Sequence, residues 1–137
     1  MESDRTPTAH VPLDHRHCRR LLAGSSVGRV VYTVGALPAV LPVRYRLGRD
    51  GSVLLRAAAR SELVRAVSGA LVAFEAGEVD EADGAGWSVT VLGRADVSAD
   101  GAHRDDPAPP GARPAGQVSI RIRPELVTGR LLPDVPA

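Results

Sequence analysis

The sequence predicts a mainly β fold, an antiparallel barrel of six strands whose openings are covered by two short helices. Apolar residues alternate with a period of two along several segments, and clusters of turn residues separate those segments. An Asp-Gly pair sits between two of them, and only two windows show the three-and-four spacing of an amphipathic helix.

Residues 1–12 read as a flexible N-terminal arm, polar and carrying Pro7 and Pro12, ahead of one domain over 13–132 and a tail over 133–137. Asp14 caps a helix that places Cys18, Leu21 and Leu22 on one side, stops near Gly24 and covers a barrel mouth. From Gly28 the pattern is β: Val30, Tyr32 and Val34 alternate with Arg29, Val31 and Thr33, and Gly35-Ala36-Leu37-Pro38 is a tight connection. A second strand runs from Ala39 to Leu47. Arg49-Asp50-Gly51-Ser52 is the strongest hairpin signal, with Asp-Gly supplying positive φ angles, and leads into a third strand, Val53 to Ala57.

Ser61 opens the second helix, with Glu62 in its first turn, Leu63, Val64 and Val67 as its buried stripe and Gly69 as its stop. Ala70 to Ala76 is nearly all apolar, as in a strand buried on both faces, and Gly77 to Gly86 is an acidic hairpin loop. Trp87 to Val97 is the fifth strand. Residues 98–116, rich in Asp, Gly and Pro, form an irregular loop, and the sixth strand is Gln117 to Arg123.

A chain of 137 residues suits one core, and 44% hydrophobic residues with a net charge of +1 exclude a disordered chain. There is no apolar run of membrane-spanning length and no leader pattern, and the lone Cys18 fits a reducing compartment, so a cytoplasmic protein is expected. All 17 basic residues are Arg, so any anion site must use guanidinium forks, backbone N–H groups or hydroxyls. These arginines are interspersed with 16 acidic residues, and aromatic residues make up 3% of the chain, which argues against a nucleic-acid partner.

His10, His15, His17 and Cys18 suggest zinc, yet only His15 and Cys18 are spaced to share a helix face, and two ligands make no metal site. Nothing marks a general base for Cys18. Glu78, Asp80, Glu81 and Asp83 lack the order of a calcium loop, and neither the phosphate loop, nor the dinucleotide glycine motif, nor a Gly-x-Ser-x-Gly nucleophile elbow is expected. No catalytic residue stands out. What remains is the run from Val53 to Leu63, where Arg56, Arg60, the Ser61 hydroxyl and N–H groups at a helix start can hold an anion such as phosphate. Read alone, that run is better taken as an ordinary N-cap beside two exposed arginines, because Ser caps with nearby arginines are common and unspecific.

The order of elements is more specific. The stretches Leu21–Thr33 (LLAGSSVGRVVYT), Leu37–Tyr45 (LPAVLPVRY), Leu71–Glu75 (LVAFE), Gly86–Ala95 (GWSVTVLGRA) and Ile120–Arg130 (IRIRPELVTGR) closely resemble the actinobacterial branch of the pyridoxamine 5'-phosphate oxidase-like proteins. The resemblance covers about residues 13–132. It implies a split β-barrel of the FMN-binding type, working as a homodimer with flavin mononucleotide (FMN) or a deazaflavin coenzyme in a groove between subunits, and an oxidoreductase activity of unspecified substrate. By the same resemblance, Pro42, Val43, Arg44 and Tyr45 lie along the flavin ring, while Arg56, Ala57 and Ser61 meet the phosphate.

Relatives typically read Arg-Thr at the positions of Arg56 and Ala57, and Gly-Ser/Thr-Lys at those of Arg60, Ser61 and Glu62. A hydroxyl is thus absent, and a carboxylate stands where the phosphate lysine is expected. Arg56 and Arg60 can compensate if Glu62 turns outward; otherwise the rival expectation is a cofactor-free split barrel acting as a binding or regulatory protein.

Overall fold

A computed structural model describes residues 11–99 and 116–134. In chain order the elements are β1 (Val11–Pro12), α1 (His15–Ala23), β2 (Val27–Val34), β3 (Leu37–Arg44), β4 (Arg46–Leu47), β5 (Val53–Ala58), α2 (Glu62–Val67), β6 (Leu71–Val79), β7 (Gly86–Ala99) and β8 (Gln117–Leu132). Every pairing is antiparallel. The strand order is β3-β2-β6-β7-β8-β5-β4, with β1 added to β8. Strands β3 and β4 are separated only by Tyr45 yet stand at opposite ends of this order. The sheet therefore curls until its ends face one another, and no ladder joins those ends among the described residues. That gap is the split of the barrel.

The six expected strands are all present, and the sheet gains two two-residue strands. One of these, β1, pairs Val11 and Pro12 with Leu131 and Arg130, so the expected arm is ordered at its last two residues; residues 1–10 lie outside the described residues, as do 100–115 of the expected loop. Both helix starts follow their caps: the His17 amide donates to Asp14 Oδ1 at 2.7 Å, and the Val64 amide to Ser61 Oγ at 3.2 Å. Helix α1 sits close against β8 because Gly129 has no side chain. A Cβ there would lie 2.4 Å from Cys18 Sγ, and Cys18 is fully buried as a small hydrophobe.

Four expectations are corrected. At the hairpin only Gly51 takes a positive φ, of 86°, and the Asp50 side chain instead accepts from the Ser52 amide at 2.9 Å. The strand expected over 39–47 breaks at Tyr45. The strand Leu71–Val79 is buried on one face only: Val72, Phe74 and Ala76 are buried, while Leu71 is 57% exposed, because an antiparallel sheet around one core leaves its other face outside. Finally, β8 runs on past Arg123 to Leu132; the partners Leu92↔Leu126 and Gly93↔Pro124 leave Glu125 as the extra residue of a bulge, which accommodates a proline inside a strand. Pro38 and Pro42 are tolerated in β3 because it is an edge strand.

The core lies inside the curl and comprises Val30, Tyr32, Val53, Leu55, Phe74, Val89, Val91, Ile120 and Ile122, with Cys18 and Leu22 from α1 and Leu63 and Val67 from α2. Full burial of Phe74 alone contributes about 1.5–3 kcal/mol. Among the described residues no helix is long and apolar enough to cross a membrane.

Candidate functional site

The split holds a groove of about 620 Å³, within the roughly 300–1,000 Å³ of small-molecule sites. One wall is Leu41 to Arg46, the end of β3 and its passage through Tyr45 into β4; the other is Leu54 to Ala58 of β5, with Ser61 and Leu63 at the start of α2. Strand β5 pairs with β8 along its length, but β4 covers only Val53 and Leu54 on its other edge. The edge of Leu55 to Ala58 therefore faces the groove, and backbone groups left without a ladder partner are suited to a ligand.

All seven residues singled out from the sequence, Pro42, Val43, Arg44, Tyr45, Arg56, Ala57 and Ser61, line this groove. Its apolar lining is Leu41, Pro42, Val43, Leu54, Leu55 and Leu63, and its charged residues are Arg44, Arg46 and Arg56, with no carboxylate among the described lining residues. The arrangement can bury a flat apolar body and hold an anion by guanidinium forks. Glu62 is exposed and does not line the groove, and Arg60 does not line it either.

Tyr45 contributes less to the groove than its place in the sequence suggests. It is 4% exposed; its ring meets Phe74 edge-on, centroids 4.7 Å apart, and its hydroxyl donates to the Leu22 carbonyl at 2.6 Å. Burial raises its pKa, against an opposing hydrogen bond with Ser25. It pins the wall between the groove and α1. Arg46 was not read as a site residue from the sequence, although Arg44 and Arg46 two apart on either side of a buried aromatic were the available signal.

On α1, His15 is exposed and His17 half-buried while Cys18 is buried, and burial, with the nearby Asp14 charge, raises the thiol pKa. Against the expectation that no such motif is present, Gly24-Ser25-Ser26-Val27-Gly28 has the Gly-x-Ser-x-Gly spacing of a nucleophile elbow, but it leads from a helix into a strand, the reverse order. Among the described residues no His or Asp lines the recess beside Ser25 and Ser26.

These features define a split barrel with a cationic, apolar-walled groove at its open seam. The family model for pyridoxamine 5'-phosphate oxidase matches residues 14–131, and the chain belongs to that family. An uncharacterized protein of Mycobacterium tuberculosis, Rv0080, is 38% identical over 133 residues, covering 90% of this chain and 87% of that one. Among solved structures, the FAD binding protein from Mycobacterium smegmatis is similar with a TM-score of 0.71 and 30% identity, covering 91% of this chain and 100% of that one. A FAD-binding protein from Mesorhizobium loti shares the fold, with a TM-score of 0.72 and 22% identity, covering 90% of this chain and 99% of that one.

Proposed function

We infer that this chain binds a flavin in the seam groove and serves an oxidoreductase of unspecified substrate. The observation that carries the reading is the groove itself: an unladdered strand edge, an apolar lining and three arginines, with no carboxylate among the described residues that line it. When bound, a flavin supplies hydride and single-electron transfer; the protein's part is to bind and orient it. Pro42, Val43 and Arg44 would hold the ring, Leu54 would keep water from the groove, and Arg56 with the Ser61 hydroxyl would hold the phosphate. Glu62, outside the groove, leaves that phosphate unopposed.

A homodimer completes the site. Val40, Val31, Ala73, Leu92 and Leu126 are successive cross-strand partners from β3 to β8, forming an apolar row across the outside of the sheet. Val40 is 59% and Leu126 53% exposed. A contiguous apolar row of this kind suits a second copy of the chain.

The test is the visible spectrum of the protein as purified, followed by titration with FMN, FAD, a deazaflavin coenzyme and riboflavin. Flavin absorbance, or tighter binding of FMN or FAD than of riboflavin, is the expected result. Binding of the deazaflavin alone would exchange the cofactor, and binding of none would leave the cofactor-free reading.

A further inference from the structure

A second recess lies on the far side of the Arg44-Tyr45-Arg46 wall. It measures about 510 Å³ and is lined by Ala23, Ser25, Ser26 and Leu47 together with that wall. It shares Arg44, Tyr45 and Arg46 with the seam groove. Through Ala23 and Leu47 it adjoins a further depression of about 380 Å³ that carries Arg16, Arg19 and Arg20 of α1. Among the described residues no carboxylate lines either recess.

Most other described arginines are partnered. Arg29 pairs with Glu75, Arg121 with Asp50 and Arg123 with Asp96, while Arg65, Arg94 and Arg19 donate to backbone carbonyls. By contrast, among the described residues Arg16, Arg20, Arg44 and Arg46 have no ion pair and no side-chain hydrogen bond. Like charges gathered without counter-charge repel one another, an arrangement that an anion relieves. The carbonyls at the end of α1 do not compete for these guanidinium groups. Those of Arg20 and Leu21 accept from the Gly24 amide, and that of Leu22 accepts from the Ser25 amide and the Tyr45 hydroxyl.

We propose that the recess bounded by Ser26, Arg44 and Arg46, with Arg16 and Arg20 at its outer end, is a second anion subsite that takes the phosphates of a nucleotide. The site shares Arg44 and Arg46 with the seam groove but does not require that the groove hold a flavin. Two sources share this chemistry: the distal half of a dinucleotide flavin whose ring lies in the groove, and a separate nucleotide delivered beside it.

Calorimetric titration with ADP, pyrophosphate, FMN and FAD, on wild type and on the double variant Arg16→Gln/Arg20→Gln, tests the assignment. These side chains lie on the exposed face of α1, so folding is spared, and Arg29→Gln serves as a control away from both recesses. ADP binding to wild type that weakens about tenfold or more in the double variant, with FMN affinity unchanged, is the expected result. If FAD affinity falls with that of ADP and the two compete, the distal half of the flavin is the source. If ADP binds alongside FMN or FAD, a separate nucleotide is. Absence of ADP and pyrophosphate binding, or an equal loss in Arg29→Gln, overturns the proposal. Failure of FMN binding with ADP binding intact would overturn only the flavin reading.

Discussion

Replacing Tyr45 by Phe removes one oxygen atom from the wall between the groove and α1 and leaves the ring in place. The hydroxyl donates to the Leu22 carbonyl at 2.6 Å from a residue 4% exposed, so its loss removes a buried hydrogen bond. That carbonyl also accepts from the Ser25 amide at 3.3 Å and is not orphaned, which places the cost near the lower end of the range for buried partners, about 1–2 kcal/mol. For a domain of this size that is a fall in melting temperature of roughly 4–8 °C. The edge contact of the ring with Phe74 survives in Tyr45→Phe and is lost in Tyr45→Leu, which should cost about 0.5–1.5 kcal/mol more. Thermal and urea unfolding read the stability, and FMN titration reads the site. Because the hydroxyl faces α1, FMN affinity should stay within about twofold of wild type. An unchanged melting temperature with a marked loss of FMN affinity would show that the hydroxyl serves the groove and that its assignment as a structural pin is mistaken.

Arg56→Ala should weaken FMN by the ~1.5–3 kcal/mol of a charge-assisted hydrogen bond with riboflavin little affected and the fold intact, while the turn-tip control Arg49→Ala and the out-of-groove Glu62→Lys should change FMN affinity less than about threefold; titration and melting curves check all three. Burial opposes ionisation of Asp50, but the Ser52 amide and hydroxyl and the Arg121 guanidinium outweigh it and lower its pKa from 3.8 to about 2. Its stabilisation is therefore fully present above about pH 4 and lost as pH falls through about 2; with the carboxylate half-exposed, it contributes about 1 kcal/mol, and Asp50→Asn should remove it at pH 7 while flattening acid unfolding between those limits. Leu92→Glu places a charge in the outer apolar row at a residue 37% exposed, and light scattering should show a monomer for the variant and a dimer for wild type; a wild type of 14.3 kDa at micromolar concentration would refute the dimer.

Local chemistry carried most of the fold. The caps at Asp14 and Ser61, the turn at Gly51 and the alternation in β2 and the first half of β8 are each specified within a few residues, and each lies where the sequence indicates. Non-local pairing decided the rest. Val43, Tyr45 and Leu47 keep one parity and are all buried or half-buried, so no local signal shows that the chain leaves one end of the sheet at Arg44 and joins the other at Arg46. The apolar run Ala70 to Ala76 likewise suggested burial on both faces, although Leu71 lies on the outside.

The residues of the candidate site were found by resemblance, whereas their reason for converging is topological. A sheet that places β3 and β4 at opposite ends brings Pro42 to Arg46 against Leu54 to Ala58 without any contact between them being encoded nearby in sequence. The same passage through Tyr45 explains why Arg44 and Arg46 border two recesses at once: the chain there is a partition one residue thick, with its aromatic ring buried and its flanking guanidinium groups exposed. The lysine missing at Glu62 need not be replaced at its own position, because three arginines already reach the groove from β3, β4 and β5. An anion held there meets planar forks from three strands instead of one ammonium at a helix start. Affinity for the phosphate should therefore fall most on removal of Arg56 and by smaller steps on removal of Arg44 and Arg46.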